Sequence, residues 1–228
     1  MLKEAVKMAV NKISIQLYTY KDISDFSYAQ KISQYCKDIG FCWDKIDFKE
    51  PLKQNYSDEL FEKLWSTARH GGFKGNEIQY SCVFCLQKTP RILLSANWRK
   101  SFQPRYSDFS LEVPYKLFIQ KRKEFEYLFY LMIELFNADY ACIANNSFWF
   151  KCHEDYSKKI PVYKDIHWIT FISDERIHEM KTSLDDLSWH KRMDIQNGSV
   201  FYICDDVPKD GDRTEKTCLE YRSLLWDI

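Results

Sequence analysis

Apolar positions change their period several times along the chain, and each change predicts an element. Residues 117–136 carry Phe125, Leu128, Phe129, Met132, Ile133 and Phe136 at helical spacing, with Tyr127, Tyr130, Leu131 and Leu135 widening the apolar surface. A segment this apolar around its circumference predicts one long helix buried centrally against a sheet. Upstream, residues 12–20 alternate Ile13, Ile15, Leu17 and Thr19 with Ser14, Gln16, Tyr18 and Tyr20, the period of a half-buried strand. Asp25 or Ser24 is placed to cap a helix that carries Phe26, Ala29, Ile32, Cys36 and Ile39 on one face and stops at Gly40. An aromatic connection, with room for a short strand, occupies residues 41–48. Ser57 then caps a second amphipathic helix, with Asp58 and Glu59 in its first turn and a stripe of Leu60, Phe61, Leu64, Trp65 and Ala68. Gly71-Gly72 is expected to end it.

Three strands follow. Residues 77–87 place Ile78, Tyr80, Cys82, Phe84 and Leu86 on one face, and residues 91–98 form the next strand. In residues 108–113, Phe109, Leu111 and Val113 oppose Ser110 and Glu112, and Pro114 closes the strand. Beyond the long helix, residues 140–144 and 166–172 read as short apolar strands, with a loop or short helix over 145–165. Ser173 or Asp174 starts a short helix through Met180. Asn197-Gly198 predicts the turn of a hairpin between 193–196 and 200–204. A terminal helix is expected over 214–225. Consecutive strands followed by a long helix give an α+β class: a mainly antiparallel sheet packed by a long buried helix and two amphipathic helices. Gly and Pro number six each and no stretch is rich in both, so a single domain over 1–228 is expected.

Composition adds three constraints. With 45% hydrophobic and 17% aromatic residues the chain can fill a substantial core, which excludes a disordered protein. Lys plus Arg and Asp plus Glu are equal at 33 each, without the basic excess of a dedicated nucleic-acid binder, so no nucleic acid is expected as partner. Local clusters remain at Lys121-Arg122-Lys123, Lys158-Lys159, Asp185-Asp186, Asp205-Asp206, and Asp210 with Asp212. Charges at positions 3, 4 and 7 interrupt any signal-peptide core, and no run approaches the ~18 apolar residues of a membrane span. A cytoplasmic protein without a membrane partner is therefore expected, its eight cysteines being free thiols rather than disulfides.

Candidate chemistry is sparse. Cys82 and Cys85 have the spacing of a zinc or redox motif, but on a strand side chains three apart point to opposite faces. Cys152-His153-Glu154-Asp155 offers nucleophile, base and carboxylate types in a row, and His70, His167, His178 and His190 are scattered. The stretch Gly71 to Asn76 lacks the strand-loop-helix order of a phosphate loop. Trp98, Arg99, Lys100 and Phe102, with Arg105 and Tyr106, suit either a stacking platform for single strands or a protein interface. No catalytic residue, metal site or cofactor is assigned. Two alternatives stay open: a metal- or cysteine-dependent enzyme built on Cys82, Cys85, Cys152, His153 and His167, and a nucleic-acid-binding phage-defence module built on residues 98–106.

From residue 77 onward, the order of segments carries a family signal. It comprises the strands over 78–86 and 92–98, the strand ending in Pro114, the long apolar helix, and Phe136-Asn137-Ala138-Asp139-Tyr140. Trp168-Ile169-Thr170-Phe171-Ile172-Ser173, Asn197-Gly198, residues 200–203 and Asp205-Asp206-Val207-Pro208 continue it. This order, over about two thirds of the chain, resembles the immunity protein 52 family of bacterial polymorphic toxin systems and related type VI secretion immunity proteins. The resemblance implies a non-enzymatic protein that binds a cognate protein toxin and neutralises it, with no cofactor or metal. A protein confined to the cytoplasm would guard against a toxin acting there. Asp205, Asp206, Asp210 and Asp212 are the candidate partner-binding residues, since charge complementarity speeds such encounters and a basic toxin would meet them. Changing Asp205→Lys together with Asp206→Lys is expected to weaken toxin binding at low salt, and unchanged binding in a titration would remove the patch from consideration.

Overall fold

A computed structural model describes residues 12–73, 76–101, 106–145, 164–209 and 213–226. The class is α+β, and every strand pair with a resolved register is antiparallel. Contacts divide the chain into two compact units, one of Leu17–Ala138 and one that holds Asp139 onward together with residues up to Gln16. Strand β1 (Lys12–Thr19) gives residues to both. Its expected half-burial is corrected: Ser14 at 1% and Gln16 at 2% exposure are as enclosed as Ile13 and Ile15. Among the described residues, no helix is long and apolar enough to cross a membrane.

In the unit Leu17–Ala138, helix α1 (Phe26–Asp38) begins where Asp25 accepts the Ser27 N–H at 2.8 Å. It ends at Gly40, whose φ of 88° lets its N–H reach the Lys37 carbonyl and the Phe41 N–H reach that of Cys36. Strands β2 (Lys45–Asp47) and β3 (Gln54–Asn55) precede α2 (Asp58–Ser66), which Ser57 caps by accepting the Leu60 N–H at 3.1 Å. Then come β4 (Arg69–Phe73), β5 (Asn76–Gln87), β6 (Ile92–Ser101) and β7 (Ser107–Pro114), ordered β7-β6-β5-β2-β3, with β4 also paired to β5. Gly71 and Gly72 therefore lie in a strand and do not stop α2, which ends five residues earlier at Ser66. The ladder from Arg69 opposite Tyr80 to Phe73 opposite Asn76 takes their main chain. A Cβ at Gly71 would lie 3.2 Å from the Tyr80 ring, so glycine lets that ring lie close.

The long helix is two helices, α3 (Tyr115–Gln120) and α4 (Arg122–Phe136), broken at Lys121. At the break, Lys121 Nζ donates to the Ile39 carbonyl at 3.1 Å, a cation at the carbonyl end of α1. The six residues predicted for the buried stripe of α4 are fully enclosed. Phe125 meets Phe118 at 5.3 Å and Phe41 at 5.9 Å between ring centroids, and Phe136 meets Phe109 at 6.1 Å and Tyr28 at 6.4 Å. Burial is one-sided, however: Tyr127 is 61% exposed. Asn137 ends α4 in the left-handed region at φ 47°, which an amide side chain tolerates.

The other unit orders its strands β10-β11-β9-β8: β8 (Tyr140–Asn145), β9 (Ile169–Ser173), β10 (Lys191–Ile195) and β11 (Gly198–Tyr202). With them lie α5 (Asp174–Ile177), a 3-10 turn (Leu184–Asp186) and α6 (Arg213–Leu225). Ile166, Ile172, Leu184, Phe201, Cys218 and Leu225 form an apolar cluster, and Trp189 lies 4.5 Å from Phe201 between ring centroids. The hairpin exists, but its turn is Gln196-Asn197, because Gly198 already pairs with Ile195. Neither Asn197 nor Gly198 has a positive φ. Glycine is required at 198 for a different reason: a Cβ there would fall on the Ile172 carbonyl, with Phe171 and Ser173 at 2.8 Å. Gly198→Ala is expected to destabilise the protein by about 2 kcal/mol or more, read from urea unfolding, while Gly71→Ala against the Tyr80 ring costs less.

Candidate functional site

Side chains of β5, β6 and β7 divide between two faces with the period of the pleat. Toward the helices point Ser81, Val83 and Cys85 of β5, Leu94, Ala96 and Trp98 of β6, and Phe109, Leu111 and Val113 of β7, all buried. Two of these close the end of α2: Ser81 Oγ donates to the Leu64 carbonyl and Trp98 Nε1 to that of Trp65 at 2.8 Å. Carbonyls at a buried helix end need such donors.

The opposite face is half-buried. Its register sets Leu86 beside Leu93, Phe84 beside Ser95, Cys82 beside Asn97 and Tyr80 beside Arg99. Glu112, Ser110 and Asp108 of β7 continue the rows. The five alternating residues of β5 do share a face as the sequence predicts. Within β5 this set is the more apolar of the two, and it is turned away from the helices. At its border Phe48 is 37% exposed, and the Arg69 guanidinium lies over the Phe48 ring at 4.3 Å from its centroid. At the far end Arg99 bridges to Asp108 at 3.0 Å, and Asn97 donates to Asp108 at 2.6 Å. Burial pushes the Cys82 thiol up to about 12, with Asp108 adding to it, so this sulfur is protonated and unreactive at neutral pH. Aromatic and aliphatic contact area with a fixed polar border is the anatomy of a binding surface.

The other predicted residues fall elsewhere. Asp205 and Asp206 are exposed in a bend after β11, while Asp210 and Asp212 lie outside the described residues. Cys82 and Cys85 do take opposite faces of β5, Cys85 being buried. Cys152 and His153 lie outside the described residues. The basic and aromatic segment around β6 presents no stacking rings in Trp98 and Tyr106. Both are buried, and Tyr106 is stacked on Tyr20 at 4.2 Å. Lys100, beside them, pairs with Asp22 at 2.9 Å. Which face of β5 turns outward was beyond sequence reasoning, because only the docking of α2 and α4 decides it.

A second polar group is enclosed in the unit that begins at Asp139. Asp165 and Arg222 are both buried and joined at 3.1 Å, tying α6 to the segment before β9. Tyr140 donates to the Asp165 carbonyl at 3.0 Å, and the His167 N–H donates to Thr170 Oγ1 at 2.8 Å. Burial pushes His167 down to about 4, with Asp165 opposing and Arg222 reinforcing the shift. Burial likewise raises the neighbouring Cys142 thiol far above its ordinary range. Every member of the group is buried. Among the described residues, no three His, Cys, Asp or Glu side chains are placed to hold a metal ion.

This arrangement has a counterpart among solved structures. The fold is similar to that of a T6SS protein from Pseudomonas aeruginosa. The two superpose with a TM-score of 0.52 at 13% identity, over 94% of this chain and 76% of the other. At that identity the likeness shows the fold. No protein-family model matches the chain, and no curated protein does.

His167 makes stability depend on pH. Its folded value lies below the usual 6.5, so the unfolded chain binds the extra proton first and stability falls as pH drops from about 6.5 toward 4. The loss approaches roughly 3 kcal/mol once both forms are protonated. Urea unfolding of the wild type and His167→Gln at pH 7, 6 and 5 checks this. The variant is expected to show the shallower slope, and equal slopes would remove His167 as the cause.

Proposed function

We propose that this chain is an immunity protein that binds a cognate bacterial toxin and neutralises it by protein-protein contact. The observation that carries the reading is the outward face of β5 and its neighbours, where Tyr80, Phe84, Leu86 and Leu93 stand half-exposed in register. Adjacent apolar side chains left partly open on one sheet face mark a site where a partner can cover them. The charged border at Arg99, Asp108 and Glu112 supplies orientation, and the apolar centre supplies affinity.

Four further observations support this reading. The partly buried thiol of the face, Cys82, is held protonated, and the Asp165, His167 and Arg222 group is sealed from solvent. The segment order resembles the immunity protein 52 family, whose role is toxin neutralisation. The similar fold belongs to a protein named for the T6SS, which fits a type VI toxin as the partner. On this reading the partner is neutralised in the cytoplasm of the producing cell, without cofactor, metal or nucleic acid.

The test is co-expression with the toxin encoded beside this gene, followed by titration of the purified pair. Wild type is expected to protect the cell and form a stable complex. Phe84→Lys is expected to weaken the complex about a hundredfold, near 3 kcal/mol, whereas Tyr127→Lys on the exposed side of α4 leaves it unchanged. Full protection by a folded Phe84→Lys protein would place the interface elsewhere, and absence of protection by wild type would end the immunity reading.

A further inference from the structure

The β10-β11 hairpin ends its sheet: β11 lies between β10 and β9, and no described strand flanks β10 on its other side. The pairing determines which main-chain groups that leaves open. Ile203 N–H donates to the Trp168 carbonyl at 2.9 Å, so odd-numbered residues here turn their N–H and C=O toward β9, and even-numbered ones toward β10. The register sets Gly198, Val200 and Tyr202 against Ile195, Met193 and Lys191. The main-chain groups of Arg192 and Asp194 therefore face the open edge, and a strand laid alongside would satisfy them.

Charge selects which strand. Soluble proteins blunt such edges with charged side chains, and Lys191, Arg192 and Asp194 are all exposed. Here the charges are ordered, with Arg192 and Asp194 on one face and joined at 3.0 Å. An incoming strand of one sign opposes one of the two. An antiparallel copy of β10 centred on Met193 opposes neither. Arg192 then faces Asp194 of the second copy, Asp194 faces its Arg192, and the two Met193 residues face each other. In that register residues 192 and 194 become the hydrogen-bonded pairs, which is the parity the open main-chain groups require. Backbone alternation and charge order thus pick the same alignment independently.

We propose that the β10 edge is a self-association surface whose partner is a second copy of this chain, paired antiparallel about Met193 in an isologous dimer. It is separate from the outward face of β5, and either assignment stands without the other. Arg192 also reaches Asp185 on the 3-10 turn at 2.5 Å, which holds the guanidinium near the edge.

Sedimentation equilibrium of the full chain tests the proposal, with circular dichroism to verify folding. Wild type is expected to approach twice 27.5 kDa as concentration rises. Asp194→Arg, which sets arginine against arginine, is expected to weaken association about tenfold or more, and Arg192→Asp with Asp194→Arg to restore it. Because Asp194 also accepts from Ser199 at 2.6 Å, Met193→Cys provides a test that keeps that contact. Residues facing at the dyad lie about 4.5 Å apart between Cα atoms, within disulfide range. Met193→Cys is therefore expected to yield a covalent dimer on mild oxidation beyond any formed by wild type. A monomer mass throughout would overturn the proposal. So would a dimer insensitive to Asp194→Arg, or a dimer that Met193→Cys fails to cross-link.

Discussion

Burial of the α4 stripe is the constraint on which the unit Leu17–Ala138 depends. Phe125, Leu128, Phe129, Met132, Ile133 and Phe136 lose all contact with water, and full burial of such a side chain stabilises the fold by about 1.5–3 kcal/mol. They are covered by α1, α3 and the inner face of β7, as the ring contacts of Phe136 with Tyr28 and Phe109, and of Phe125 with Phe118, record. Once that face of the sheet is committed to the helices, the alternation of β5 leaves its other set outside. The candidate surface is therefore a consequence of where the largest rings had to go. A one-residue slip of β5 would bury Phe84 and expose Val83 and Cys85 instead.

Polar ties fix the placement that apolar burial alone leaves loose. Hydrophobic contact is indifferent to small sliding, whereas a donor beneath a helix end is not. Ser81 and Trp98 reach the last carbonyls of α2, and Lys121 reaches the end of α1. In the other unit the buried Asp165 and Arg222 pair does the same for α6. Its cost in desolvation is offset by the closeness of the two charges, while Tyr140 fixes the main chain at Asp165.

Much of the architecture was legible in the sequence, and the misses share a cause. Asp25, Ser57 and Gly40 announced their helix boundaries because capping is local chemistry that six residues can specify. The six buried residues of α4 were legible for the same reason, period 3.6 being a property of the segment itself. The break at Lys121 was not, and the contact its side chain makes there is with the Ile39 carbonyl, 82 residues away. The local sequence marks Gly71 and Gly198 as turn residues, whereas both serve close approach to a neighbouring strand. The candidate face was half legible. Period-2 alternation alone groups its five residues on β5, but their outward orientation comes from partners remote in sequence, and the charge of Asp205 and Asp206 reveals nothing of packing.

The hydrogen bond from Thr19 Oγ1 to the Phe136 carbonyl at 2.9 Å joins residues 117 positions apart. Its consequence concerns the order in which the chain is made. Thr19 leaves the ribosome long before the end of α4 exists, so the end of β1 that carries it waits without this tie. The β5-β6-β7 meander needs only adjacent segments and closes short loops, which is fast. This tie therefore runs against synthesis order: Thr19 is translated well before its acceptor and is secured only once Phe136 has followed. During that interval the end of β1 around Leu17 needs protection from aggregation.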